Sequence, residues 1–303
     1  MTSTCVLDPD RLQAYRERTF RLLPELRLRS AADALAFVQE RGFIYFWPIK
    51  GVLLPSLWTA VAGDRPVADA HDDPGHVTWG WKDDFLDKRR WYYAKVLRGK
   101  ATIIALEVVP CFYALSENYG EPERDYLQQY QDGLLTHEAR TIYEALLREG
   151  PLDTVNLRRV VHMTSKASDV PFERGLVELQ RDFKILPTGI APTGAWRYSF
   201  VYDLVHRYYP DLPEAGRRIT RRAARERLAG LYFDSVGAAT AADVRRLFGW
   251  KHEEVAEALA DLVAAGRLRA GCRLADGPGE WWAIAAMLTP SRPDGAIALR
   301  PAP

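Results

Sequence analysis

The chain has 303 residues, 48% of them apolar and 27% charged, with a formal net charge of +1; this balance excludes a disordered polymer and supplies core for two or three domains. No run is apolar for long enough to span a membrane, and the start lacks the charged-then-apolar order of a signal peptide, so a cytoplasmic protein is expected. Cys5, Cys111 and Cys272 are odd in number, far apart and without C-x-x-C spacing, which predicts neither a disulfide framework nor a zinc site.

In chain order, Asp10 to Leu22 reads as a helix with Leu12, Tyr15, Thr19 and Leu22 on one face, broken by Pro24. Ser30 with Asp33 three residues on predicts a capped helix start, Leu35 and Val38 continue it, and Gly42 sits where a left-handed cap ends it. Phe43-Ile44-Tyr45-Phe46-Trp47 follows, too apolar for a solvated loop. Such a joint packs in the core, the commoner fate of aromatic residues, or meets a flat ligand. Pro55 opens a further helix that carries Trp58 and stops at Gly63. Asp64 to Asp87 has no sustained period and is expected to be a long surface connection holding Trp79 and Trp81. Lys88 to Leu97 reads as a helix, Ala101 to Val109 as a buried strand containing Glu107 and ended by Pro110, and Phe112 to Gln131 as an aromatic, polar link.

From Thr136 the pattern is plainer. Thr136 to Arg148, Asp153 to Val161 and Phe172 to Phe183 have helical spacing, and Lys184 to Phe200 alternates and turns as a hairpin. The order recurs in Arg221 to Leu231, Ala241 to Phe248, Glu253 to Ala265 and a hairpin from Leu268 to Ile284. Three helices then a hairpin is the winged-helix order. The expected fold is mainly α with small β-hairpins, built on tandem winged-helix (helix-turn-helix) repeats, each with its own core. Its parts are a helical, degenerate winged-helix unit at 1–132, winged helices at 133–212 and 213–290, and a Pro-rich tail at 291–303.

Basic residues cluster. Lys88 to Lys100 includes Arg98 and Lys100 with no acid among them, and Arg217, Arg218, Arg221, Arg222, Arg225 and Arg227 face Glu226 alone within their segment. An anionic polymer is the economical partner, and double-stranded DNA bound by a monomer is expected, without a membrane role. Phe172 to Phe183 adds Arg174 and Arg181 but is mixed in charge, so phosphate contact rather than base readout is expected.

The Gly42-Phe43 joint followed by a Leu-Trp helix resembles the first motif of the AlkZ/YcaQ-like winged-helix DNA glycosylases, and Arg98-Gly99 before the next strand resembles that family's Arg-Gly-Thr approach, with Lys100-Ala101 intervening here. The resemblance covers most of Asp10 to Ile284; past it the family continues into a barrel, where this sequence has its Pro-rich tail. It implies three winged-helix-like units, DNA as partner and excision of damaged, alkylated bases. The family's water-holding polar pair falls on Tyr45 and Trp47, neither of which replaces a carboxylate. Substitute carboxylates would be Asp83 and Asp84, between the tryptophans and the basic run, or Glu107 in its apolar strand. Trp58, Trp79 and Trp81, with Tyr45 and Trp47, could stack a base. His71, Asp72, Asp73 and His76 have a metal-like composition without a helical register or a further ligand, so no metal and no cofactor is expected. Two functions follow: a divergent glycosylase with a substituted catalytic motif, or a non-catalytic DNA-binding protein or transcriptional regulator on the same scaffold.

Overall fold

The computed structural model describes residues 5–118, 120–194, 197–275 and 279–288; the expected tail at 291–303 and the hairpin tip at 276–278 lie outside them. Strand β1 (Cys5–Leu7) leads into α1 (Pro9–Thr19), where Asp8 accepts from the Asp10 and Arg11 amides. Helix α2 (Ala31–Arg41) starts as expected, with Ser30 Oγ accepting from the Asp33 amide at 3.1 Å, and closes on Gly42 at φ 79°. The joint is a strand, β2 (Phe43–Tyr45), whose three residues are all buried. Ser56, not Pro55, caps α3 (Leu57–Ala62) by accepting from the Thr59 amide.

Two expectations fail in the next stretch. The supposed surface connection contains α4 (Val77–Leu86), and the supposed helix at Lys88 to Leu97 holds β3 (Tyr92–Lys95), because Trp91 and Tyr92 are large β-formers buried in the core. Strand β4 (Ala101–Ile104) pairs with both β2 and β3. It ends three residues before Glu107: the Ala105 amide turns back to the Gly42 carbonyl at 2.8 Å, and Glu107 is exposed in a turn rather than inside a strand. The link to the next unit is itself helical, α5 (Val109–Tyr113) and α6 (Pro122–Gln131).

The second unit is α7 (His137–Glu149), β5 (Leu152–Asp153), α8 (Thr154–Val160), α9 (Asp169–Arg181), β6 (Ile185–Ala191) and β7 (Ser199–Leu204). Thr136 and Asp153 cap α7 and α8 through their side chains. After α10 (Val205–Tyr208) and α11 (Leu212–Arg217) comes the third, α12 (Arg221–Val236), β8 (Ala238–Ala239), α13 (Ala241–Phe248), α14 (His252–Ala264), β9 (Leu268–Leu274) and β10 (Trp281–Ile284). The three sheets repeat one plan: β2-β4-β3, β5-β7-β6 and β8-β10-β9, each unit's first strand pairing with its last. The first unit, α2-β2-α3-α4-β3-β4, follows the same element order as the other two.

The cores are not one per unit. Ile142, Leu146, Phe172, Leu176 and Leu179 form a cluster inside the second. The third unit's Leu228, Tyr232, Phe233, Val244 and Leu259 belong to one continuous cluster with Phe43, Ile44, Tyr45 and Ile104 of the first. The sequence hides this because helical spacing marks an apolar face and not the element it meets. The cysteines also depart from expectation. β1 runs parallel to β9 with Cys5 opposite Cys272, and the two form a disulfide, while Cys111 is a buried thiol. Among the described residues no helix is long and apolar enough to cross a membrane.

Candidate functional site

Backbone hydrogen bonds pin the joint on both sides. The Tyr45 amide donates to the Pro55 carbonyl at 3.0 Å, the Phe46 amide to Ala101 at 2.9 Å, and the Trp58 amide to Phe46 at 3.1 Å. This fixes where the side chains go. Tyr45 is two residues from Phe43, so both lie on one face of the sheet, where Phe43 meets Phe112 and Phe248. Tyr45 is fully buried, its hydroxyl has no hydrogen-bond partner, and burial pushes the phenol up to about 12 against the opposing effect of Arg98. It is neither a base at neutral pH nor a stacking surface.

Trp47, past the strand, turns the other way. Its ring lies 5.2 Å from Trp58, 5.9 Å from Trp79 and 6.1 Å from His76. With Trp79, His76, Val67, Asp69, His71 and Tyr198 it lines a cavity of about 610 Å³. The two positions that would carry a polar pair are thus separated, one inside the core and one on a pocket wall. Trp58 is completely buried behind Trp47, and its indole N–H donates to the Arg65 carbonyl at 3.3 Å. Gly75 permits this approach, since a Cβ there would lie 2.8 Å from the Trp58 ring.

Helix α4 builds the remaining wall. Residues three and four apart share a helix face, which groups Trp79, Lys82 and Asp83, whereas Trp81, two residues on, turns away and packs on the core. Trp79 is 40% exposed and Lys82 only 1%. The Lys82 ammonium lies 4.4 Å from the Phe200 ring centroid, 5.1 Å from Trp79, 5.4 Å from Tyr93, 5.5 Å from Tyr198 and 6.0 Å from Phe46. It donates to Asp83 and, at 2.8 Å, to the Tyr198 hydroxyl, which donates to Asp83 at 2.9 Å. Burial pulls the ammonium below its usual range and Asp83 opposes this; burial and Asp83 together push the Tyr198 phenol up, keeping it a donor. Tyr198 comes from the second unit, so the pocket forms between two units.

A second cleft, of about 740 Å³, is lined by Arg98, Arg181, Arg221 and Arg225, with Glu117, Asp182 and Glu254 and the stacked rings of Phe248 and Trp250. Five arginines of the run that looked unpartnered are paired. Arg221 holds Glu117 at 2.8 Å, Arg222 holds Asp261 and Glu257, Arg225 holds Glu254, and Arg217 and Arg218 share Glu214. Most partners come from other helices, which is why the local sequence showed an excess of charge. Arg98 donates to the Arg246 carbonyl, Lys100 is exposed, and Arg174 lines a shallow groove with Arg181 and Glu178.

A family model described as AlkZ related matches residues 28–249. The chain belongs to the AlkZ-related family. It is similar in structure to Streptomyces sahachiroi DNA glycosylase AlkZ, with a TM-score of 0.53 and 13% identity over 91% of this chain and 69% of that one, which shows a shared fold. No curated protein matches the sequence.

In this AlkZ-related chain the structure joins Trp47 and Trp79 directly, and Asp83 to them through Tyr198. It leaves Tyr45, Trp81, Asp84 and Glu107 elsewhere, Asp84 and Glu107 being exposed. Asp73 pairs with Arg65 at 2.6 Å and accepts from the Gly75 amide, and His76 is a pocket residue; among the described residues no group of His, Cys, Asp and Glu could hold a metal ion. Sequence reasoning missed Lys82 and Tyr198, and weighed His76 only as a metal ligand. The i, i+3, i+4 spacing of Trp79, Lys82 and Asp83 was a usable signal once α4 is recognised as a helix; Tyr198, 115 positions from Asp83, had none.

Proposed function

We propose that this protein binds double-stranded DNA on three winged-helix units, at 1–132, 133–212 and 213–290, and receives one unstacked base in the pocket of Trp47, Trp79, His76 and Tyr198. The repeated order of helix, strand, two helices and two strands supports the winged-helix assignment. The observation that carries the base-binding reading is the partly exposed Trp79 ring at a cavity that Trp47, 5.9 Å away, also lines. Helix α9 packs on the first unit, the Lys95 amide donating to Gln180 at 3.1 Å and the Lys95 ammonium pairing with Glu173. This supports phosphate contacts, through Arg98, Lys100, Arg174 and Arg181 and whichever arginines of α12 exchange a carboxylate for a phosphate, over reading of base edges.

Excision of cationic alkylated purines is weak or absent in this proposal. The pair position in the core cannot reach a substrate, and Trp47 cannot activate water. Asp83, held to the wall residue Tyr198, is neutralised by Lys82 and so lends little stabilisation to positive charge developing on a sugar. Its position at that wall is also what favours the second reading, a divergent glycosylase using Asp83. Single-turnover assays on duplexes carrying N7-methylguanine or N3-methyladenine, with alkali to reveal abasic sites, separate the two. Release at the uncatalysed rate, together with tighter binding to a duplex with an unpaired base that Trp79→Ala removes, is expected. Rapid release that Asp83→Asn abolishes would establish the glycosylase instead.

A further inference from the structure

We infer that the cleft where the three units meet binds a nucleoside phosphate, a flat ring system carrying an anionic group, and that this site is separate from the pocket proposed for the base. Its volume of about 740 Å³ lies within the roughly 300–1,000 Å³ of small-molecule sites, which favour junctions between folded units. Five basic and three acidic side chains line it. Each carboxylate has an arginine of its own: Glu117 pairs with Arg221 at 2.8 Å, Asp182 with Arg181 at 3.4 Å, and Glu254 with Arg225. Arg98 and Lys251 remain, neither with a carboxylate partner among the described residues. An entering anion therefore meets a surplus of two cations that no existing ion pair holds.

The two cations come from different units and meet through α13. Arg98 stands at φ 55° in a turn where the Leu97 amide donates to the Thr102 hydroxyl at 3.1 Å. A left-handed backbone is costly for a residue other than glycine, and such strain collects at ligand clamps. From this turn the guanidinium donates to the Arg246 carbonyl near the end of α13 and keeps further N–H groups for a phosphate. Phe248 closes α13, and Trp250 and Lys251 follow it. The Trp250 ring stacks on Phe248 at 4.2 Å and 9°, and both rings are partly exposed and line the cleft. Phe248 takes one face of Trp250, which leaves the other for a base.

The test is calorimetric titration of the unmodified protein with adenosine monophosphate, adenosine and ribose phosphate. Arg98 is also among the proposed DNA contacts, so the titrations exclude DNA and stand whether or not that reading does. Adenosine monophosphate should bind with a dissociation constant below about 1 mM, and each of its parts at least about tenfold more weakly. Arg98→Gln combined with Lys251→Gln should remove the advantage over adenosine, and Trp250→Ala the advantage over ribose phosphate. A photoactivated azido derivative of adenosine monophosphate should label residues 248–254. No binding at that concentration overturns the inference, as does equal binding of the nucleotide and either part, and neither result needs a variant to fold. Labelling that spares 248–254 and marks the peptide carrying Trp79 puts the ligand in the other pocket and overturns the assignment to this cleft.

Discussion

Helix α12 and the pocket face of α4 are the two segments whose composition most strongly marks them for DNA, one by arginine and the other by tryptophan, and the structure treats them differently. On α12, Arg221, Arg222 and Arg225 each rest on a carboxylate remote in sequence, while Leu228, Tyr232, Phe233 and Val236 are completely buried in the core shared by the first and third units. On α4, Lys82 and Asp83 satisfy one another, and the Trp79 ring is left partly uncovered over a cavity. A run of like charge marks a surface, and distant partners decide whether that charge is available. The distant ring that meets Trp79, Tyr198 at 6.2 Å, leaves it partly exposed. The arginine helix is foremost a strut, and the aromatic wall is the proposed site.

The sharpest way to break this contrast is to weaken the strut. Leu228→Ala should cost ~2–5 kcal/mol of folding stability, because the side chain is fully buried and its neighbours collapse only in part; a loss below about 1 kcal/mol in denaturant titration would remove α12 from the core. Trp79→Ala should leave the urea midpoint unchanged and cost ~1–3 kcal/mol of binding to DNA with an unpaired base. Equal losses on duplexes with and without that base would show that Trp79 is not a stacking surface. Charges give the next effect. Arg98→Ala or Lys100→Ala should each flatten the slope of log affinity against log salt by about one unit, and Arg222→Ala by less, because its guanidinium already holds Asp261 and Glu257.

The smallest effect concerns a buried cation whose closest partner is neutral. Lys184 donates to the Asn118 side-chain carbonyl at 2.8 Å, and burial lowers its ammonium from 10.5 to about 8 against the opposing pull of Asp182 and Asp125. Between these values the unfolded chain holds a proton that the folded chain has released. Stability should therefore rise as pH increases from 8 towards 10, by at most ~1.4 kcal/mol per unit. Denaturation at pH 7.5, 8.5 and 9.5 checks this, and Lys184→Met should flatten the rise.

Legibility followed periodicity. The helices after Thr136 carry clear apolar faces and side-chain caps, and α13 (Ala241–Phe248) and β10 (Trp281–Ile284) lie where spacing predicts them. Helix α4 escaped because its buried face includes Lys82 and its exposed face Trp79, the reverse of an amphipathic pattern. The basic run before β3 obscured a strand of four residues. Trp47 and Trp79 were recognisable as flat surfaces from composition. Their convergence with Tyr198 depends on how the second unit sits on the first, and the pairing of Cys5 with Cys272 on a parallel ladder between the two extremes of the fold, so no local window contains either.

That ladder makes the polypeptide close to a ring. The Cys5–Cys272 bond joins residues 267 positions apart, and the rungs beside it pair Val6 with Arg273 and Leu7 with Leu274. Tension applied outside this clasp is carried by the bond when the thiols are oxidised, and by a three-rung ladder when they are reduced. In the oxidised ring a pulling experiment should extend the chain only outside the clasp and register no unfolding step from the residues it encloses, whereas in the reduced form all three units become extensible once the ladder gives way.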